Sequence, residues 1–219
     1  MIKAVIFDLV KTLGEFELIS EYEASIFLRN KGYEIYPQTW RSAFGFVLFI
    51  DYPKYGYDSH ESLFNQVFNR LELDVDESTV IELSNIFRNR PFKLFSNSLE
   101  AVKRAKNAGL KTAIATSTPK PFFISGIEPI EEHLDYVCTG YEAGYEKSNP
   151  QIYVNILRHL CVEPDEAIVI GDNPILDIVN AKQLGLWAIQ IINEEKPSEL
   201  ADRVVKNVLD AVKIALHWI

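Results

Sequence analysis

Apolar and polar positions change rhythm twice along the chain, and each change marks a different kind of element. Residues 2–8, IKAVIFD, run through Ile2, Ala4, Val5, Ile6 and Phe7 and then stop at a carboxylate, Asp8. A near-continuous apolar run of that length suits a strand buried on both faces of a parallel sheet. From about 16 to 90 the spacing turns helical: Leu18, Tyr22, Ile26 and Arg29 recur every three to four residues. DSHESLFNQVFNRL opens on a cap made by Asp58 with Glu61 or by Ser59 with Ser62, and DESTVIELSNIFRN repeats the scheme.

After RPFKLF, strand and helix alternate. The pattern predicts a helix over 98–108, strands over 111–117 and 136–140, and a helix over 150–161. A strand over 167–172, a helix over 175–184, a strand over 187–192 and a terminal helix over 207–217 follow. The expected fold is therefore α/β: a doubly wound, Rossmann-like parallel sheet core from residues 1–14 and 92–219, with an α-helical cap, 15–91, inserted after the first strand. Ligands of such sheets bind beyond the carboxyl ends of the strands. The polar residues at those ends are Asp8, Thr116, Ser117 and Asp172, and an inserted cap would roof them.

Composition narrows the partners. A chain of 219 residues that is 47% hydrophobic and 24% charged is an ordinary globular protein. Its net charge of −9 argues against nucleic acid, whose binders present a basic face. The longest apolar run, AFGFVLFI at 43–50, is too short to span a membrane, and it is a candidate homodimer surface wherever it proves exposed. Cys138 and Cys161 stand in no metal spacing, nor do His60, His133, His159 and His217. The N-terminus begins a strand in place of a signal segment, so a cytoplasmic location and a small-molecule substrate are expected.

Four pieces in order, FDLVKTL at 7–13, IATST at 114–118, EKSNPQIY at 146–153 and GDNPILD at 171–177, resemble the motifs of the haloacid dehalogenase (HAD) superfamily with a helical cap. The resemblance covers nearly the whole chain. It implies that Asp8 is the nucleophile of an aspartyl-enzyme intermediate, against the plain alternative of a carboxylate closing a strand. Thr116 and Ser117 then bind an oxyanion, a phosphoryl oxygen or a substrate carboxylate, or simply cap a helix. Lys147 resembles the lysine that neutralises the nucleophile, and Asp177 would orient that lysine or a metal-bound water. In phosphatases of the superfamily Mg²⁺ is held by residues like Asp8, Asp172 and the main-chain carbonyl of Val10.

Val10 departs from the phosphatase pattern. That position usually carries a second aspartate, which protonates the leaving group, and general acid–base help is worth about 100-fold to 10,000-fold. Halide leaves carbon without a proton, and the dehalogenase branch also has a non-acidic residue there. Arg41, beside Trp40, resembles that branch's carboxylate-binding arginine, although a solvated helix residue is the plainer reading. Tyr153 matches a tyrosine of the same branch, and Phe44, Phe46, Val47, Leu48 and Phe49 are candidates for an apolar pocket wall. Lys11, Thr12 and Asn173 complete the expected substrate-binding set.

Asp172 points the other way, since the dehalogenase branch needs no metal. The leading expectation is hydrolytic dehalogenation of a 2-haloalkanoic acid through Asp8. The alternatives are a Mg²⁺-dependent phosphatase or phosphonatase-like hydrolase acting on a good leaving group, and a non-catalytic binding protein.

Overall fold

The computed structural model describes residues 1–17, 19–192 and 196–218. The apolar run at the start of the chain forms β1 (Ala4–Asp8), buried along its whole length. Two short strands, β2 (Gly14–Glu15) and β3 (Lys93–Leu94), pair antiparallel where the chain leaves and re-enters the α/β core. A Cβ on Gly14 would lie 2.2 Å from the Lys93 carbonyl oxygen, so only glycine allows this close crossing. Then come β4 (Lys111–Thr116), β5 (Tyr136–Thr139), β6 (Ala167–Gly171), β7 (Trp187–Ile191) and β8 (Arg203–Val205).

The sheet order is β5-β4-β1-β6-β7-β8, and every pairing in it is parallel. Alternation along β1 sends Val5 and Phe7 to one face, against the helices Ser98–Asn107 and Val208–Leu216. Ala4 and Ile6 face the other way, towards the helix Gln151–Leu160 and the helical segment after β6. The fold is thus the expected Rossmann-like α/β class. The chain winds away from β1 in both directions, which puts the switch point of the topology at its carboxyl end.

The helices between β2 and β3, called the cap below, surround a cluster of their own that includes Leu28, Trp40, Leu63, Phe64, Val67 and Leu83. Ser59 and Ser62 form the capping box of the helix His60–Arg70, and Asp76 caps Glu77–Arg88. In the helix Glu21–Asn30 the buried stripe is Ala24 with Leu28, while Tyr22 and Ile26 face outward. Leu18, the first member of the expected stripe, lies outside the described residues. The run at 43–50 turns mostly inward. Ala43 and Val47 are buried, Phe46 lies under the Arg70 guanidinium, and only Phe49 and Ile50 of the run are exposed. The exposed part of this candidate dimer surface is therefore Phe49 and Ile50. Among the described residues no helix is long and apolar enough to cross a membrane.

An aromatic contact joins cap and core. Phe122 follows β4 and enters the cap's aromatic cluster, edge-on to His60 at 4.7 Å and 5.7 Å from Phe87. Burial, and then Arg88, lower the His60 pKa from 6.5 to about 4. Below pH 6.5 the unfolded chain takes up a proton that the folded chain refuses until about pH 4, so this histidine costs stability as the pH falls through that window. The cost approaches roughly 2–3 kcal/mol at the acid end. Thermal melts at pH 7.5 and pH 5 should therefore diverge more for the wild type than for His60→Phe. Parallel losses in both proteins would contradict this.

Candidate active site

β1, β4 and β6 end side by side, with Asp8 in register with Ala115 and Phe7 with Ile170. Asp8, Thr116 and Asp172 consequently emerge at one edge of the sheet. Asp8 and Asp172 are each 8% exposed, and Lys147 and Asp177 are buried beneath them. Lys147 Nζ lies 2.5 Å from Asp8 Oδ1 and 2.6 Å from Asp177 Oδ1, bridging the two carboxylates.

Asp177 is fixed on all sides. Its Oδ1 also receives the Tyr153 hydroxyl at 3.1 Å, and its Oδ2 accepts the Asn173 N–H at 2.9 Å. A Cβ on Gly171 would stand 2.2 Å from Asp177 Oδ2, so the carboxylate occupies the space that this glycine leaves. Tyr153, fully buried, thus acts behind Lys147 on Asp177. The Asn173 side chain accepts the N–H groups of Ile175 and Leu176 and starts the following helical turn.

Burial, opposed by Lys147 and reinforced by Asp177 and Asp172, raises the Asp8 pKa to about 7. Asp172 is raised to about 6, mainly by burial and then by Asp177, with Lys11 and Lys147 opposing. Burial also works against the Lys147 ammonium, yet Asp177 and Asp8 outweigh it and hold the pKa well above the ordinary lysine value. The site therefore carries more negative charge than its buried cation balances. Oxygen atoms of Asp8, Asp172 and Asp177 lie within 4.8 Å of one another, and Asp8 Oδ2 is buried without a hydrogen-bond partner among the described residues. An oxygen-lined, anionic cluster with an orphaned carboxylate oxygen fits a hard cation such as Mg²⁺. The Val10 carbonyl would complete such a set.

The remaining expected residues divide. Thr12 is buried close to Asp8 in sequence, and its hydroxyl has no partner among the described residues. Thr116 is buried, with its hydroxyl accepting the Thr118 N–H at 3.1 Å. The Ser117 hydroxyl donates to Glu146 at 2.7 Å and so ties the end of β4 to the Lys147 loop. Lys11 is exposed at the turn after Asp8, with a left-handed φ of 64°. The Val10 side chain packs against the core cluster that contains Val5 and Phe7.

Arg41 is not brought to Asp8. Its side chain is 78% exposed on the cap, 4.0 Å from Glu21, while its neighbour Trp40 stacks on Phe44 and Phe64 inside. Consecutive helical residues point about 100° apart, and here the tryptophan takes the inward place. Phe44 likewise belongs to the cap interior.

Two residues the motifs did not mark also position the site. Asn180 Nδ2 donates to the carbonyls of Lys147 at 3.1 Å and Ser148 at 3.3 Å. Gln190, buried in β7, donates to the Asp172 carbonyl at 3.2 Å. An amide in the apolar strand WAIQII was the available signal.

A family model described as haloacid dehalogenase-like hydrolase matches residues 2–185. The chain belongs to that family and is a HAD-type hydrolase. It is 28% identical to a glyceraldehyde 3-phosphate phosphatase of Methanothermobacter thermautotrophicus, over 98% of this chain and 96% of that protein. It is 33% identical to a phospholysine phosphohistidine inorganic pyrophosphate phosphatase of Bos taurus, but over only 42% of this chain and 36% of that protein. In fold it resembles a 2-haloacid dehalogenase from Pseudomonas syringae pv. Tomato DC3000, with a TM-score of 0.74 and 18% identity across 100% of both chains. A HAD phosphatase from Thermococcus onnurineus superposes with a TM-score of 0.67 at 24% identity, over 98% of each chain.

Gly171→Ala should leave a folded protein, destabilised by about 1–3 kcal/mol through overpacking. Its hydrolase rate should fall about 100-fold as Asp177 and with it Lys147 are displaced. Thermal melts and kcat/KM measure the two effects. A variant with unimpaired turnover would contradict this account of how the lysine is held.

Proposed function

We propose that the protein is a Mg²⁺-dependent phosphohydrolase that works through an aspartyl-phosphate on Asp8, acting on a small substrate whose leaving group departs without a proton. One observation carries this reading: among the described residues three converging carboxylates face a single buried ammonium, and one oxygen of Asp8 is left without a partner. A bound Mg²⁺ would neutralise the surplus charge and polarise the phosphoryl oxygens. Asp8 and Asp172 are the side chains that would hold it.

Lys147 holds the Asp8 carboxylate in place through Oδ1. A bond forms between a carboxylate oxygen of Asp8 and phosphorus while the bond from phosphorus to the leaving group breaks, and the leaving group takes the electron pair. Water then attacks phosphorus, the bond from phosphorus to the Asp8 oxygen breaks with its electron pair returning to the carboxylate, and the protons of the water remain on the released phosphate. Val10 has no proton to give, so alkyl phosphates, which leave as alkoxides, are poor substrates for this site. Acyl phosphates and pyrophosphate leave as stabilised anions. The inorganic pyrophosphate in the name of the bovine relative is a substrate of the same kind.

Val10 equally suits halide departure, which keeps 2-haloacid dehalogenation as the second reading. That reading lacks its carboxylate clamp, because Arg41 faces Glu21 on the cap surface.

Phosphate release from acetyl phosphate should require Mg²⁺, stop in EDTA, and exceed release from glycerol 3-phosphate by about 100-fold or more. Asp8→Asn should abolish it. Halide release from L-2-chloropropionate in EDTA, with no phosphate release from either ester, would overturn the proposal in favour of dehalogenation. Val10→Asp should raise the alkyl phosphate rate by about 10-fold to 100-fold and leave acetyl phosphate little changed. An unchanged ratio between the two substrates would show that the residue-10 side chain does not set the leaving group.

A further inference from the structure

A cavity of about 560 Å³, whose lining includes none of Asp8, Lys147, Asp172 and Asp177, opens at the seam between cap and core, within the range of small-molecule sites. Its walls are unusually rich in one side chain. The cap contributes Tyr52, Tyr55 and Tyr57, and the core contributes Tyr141 from the turn after β5. The ring centroids of Tyr57 and Tyr141 lie 6.3 and 6.2 Å from that of Tyr52. None of the residues that hold or surround Asp8 lines this space.

The cage is held in shape by groups already committed to one another. The Tyr52 hydroxyl accepts the Lys120 N–H at 3.2 Å and lies 3.2 Å from the Thr139 hydroxyl. Gly56 has a φ of 62°, and a Cβ there would lie 2.9 Å from the Tyr141 ring. The ring therefore lies against a glycine that no other residue replaces without strain. Tyr52 is almost fully buried, whereas Tyr55 and Tyr141 are 66% and 49% exposed and form the mouth.

Charge selects the ligand. Lys120 is paired with Glu142, which also accepts the Thr139 N–H at 3.0 Å, so the lysine is already neutralised. Asp58 then leaves the lining with a surplus negative charge. Tyrosine faces are negative as well, through the quadrupole of the ring. Among the described residues lining the cavity, the lysine is matched by Glu142, so an anion meets no surplus positive charge, while a cation is favoured by the tyrosine rings and by Asp58.

We infer that this cavity is a binding site for a small organic cation, an alkylated or quaternary ammonium, separate from the hydrolytic centre. Its walls come from both parts of the chain, so a bound cation holds the cap segment 52–58 against the core segments that carry Lys120 and Tyr141.

Isothermal titration of the full chain with choline, and with its neutral isostere 3,3-dimethyl-1-butanol, tests the assignment without relying on turnover. Choline should bind saturably and the neutral alcohol about tenfold more weakly or less. Tyr141→Ala should abolish choline binding, while Tyr141→Phe, which keeps the ring face, should retain it. Tyr55→Ala, at a more exposed wall, should weaken it too and serves if Tyr141→Ala does not fold. Asp8→Asn should leave binding intact, which keeps this result independent of the reaction proposed above. Equal binding of the neutral alcohol would reduce the site to an apolar pocket and overturn the inference. So would the absence of saturable choline binding, or binding that survives both alanine variants.

Discussion

A single buried ammonium, Lys147, organises the candidate active site. Lys147 is 3% exposed and sits between Asp8 and Asp177, and neither carboxylate is tolerable in that position without it. Burying an unpaired carboxylate costs several kcal/mol, so the pairing is a condition for the strand ends to meet at all. The rest of the site supports that pairing. Gly171 gives Asp177 its space, Tyr153 and the Asn173 N–H fix its two oxygens, and Asn180 secures the backbone that carries Lys147. Even so the charges do not balance, and the surplus at Asp8 and Asp172 is the physical opening for a cation and for nucleophilic attack.

Much of this was legible in the sequence because β1 and β6 are buried along their whole length and read as apolar runs that end at Asp8 and just before Asp172, and the apolar centre of β4 likewise ends at Thr116. Where burial is one-sided or slight, the pattern is weaker. β8 is a three-residue strand with two exposed residues, and β2 and β3 are too short to show any period. In the helix Glu21–Asn30, both Tyr22 with Ile26 and Ala24 with Leu28 satisfy the four-residue spacing, and only packing against the other cap helices selects the second pair.

The same limit governs side-chain roles. Arg41 and Trp40 are adjacent, so motif likeness alone does not tell which one faces inward. The hydrogen bonds that fix Ser117 to Glu146 and Gln190 to the Asp172 carbonyl span 29 and 18 residues, and local spacing carries no trace of them. The cap's role is likewise tertiary. Phe122 from the core completes an aromatic cluster whose other members come from the cap. The tyrosine-lined cavity exists only because segments near residues 52–58, 120 and 141 meet.

The central claim is that Asp8 becomes covalently phosphorylated. The most direct measurement is rapid acid quenching of the enzyme during turnover of acetyl phosphate with Mg²⁺, followed by peptide mass spectrometry. The account predicts a mass increment of one phosphoryl group on the peptide that contains Asp8, absent when Mg²⁺ is chelated. An enzyme that turns over acetyl phosphate and carries the phosphoryl group on another residue, or none on Asp8 at any quench time, would contradict it.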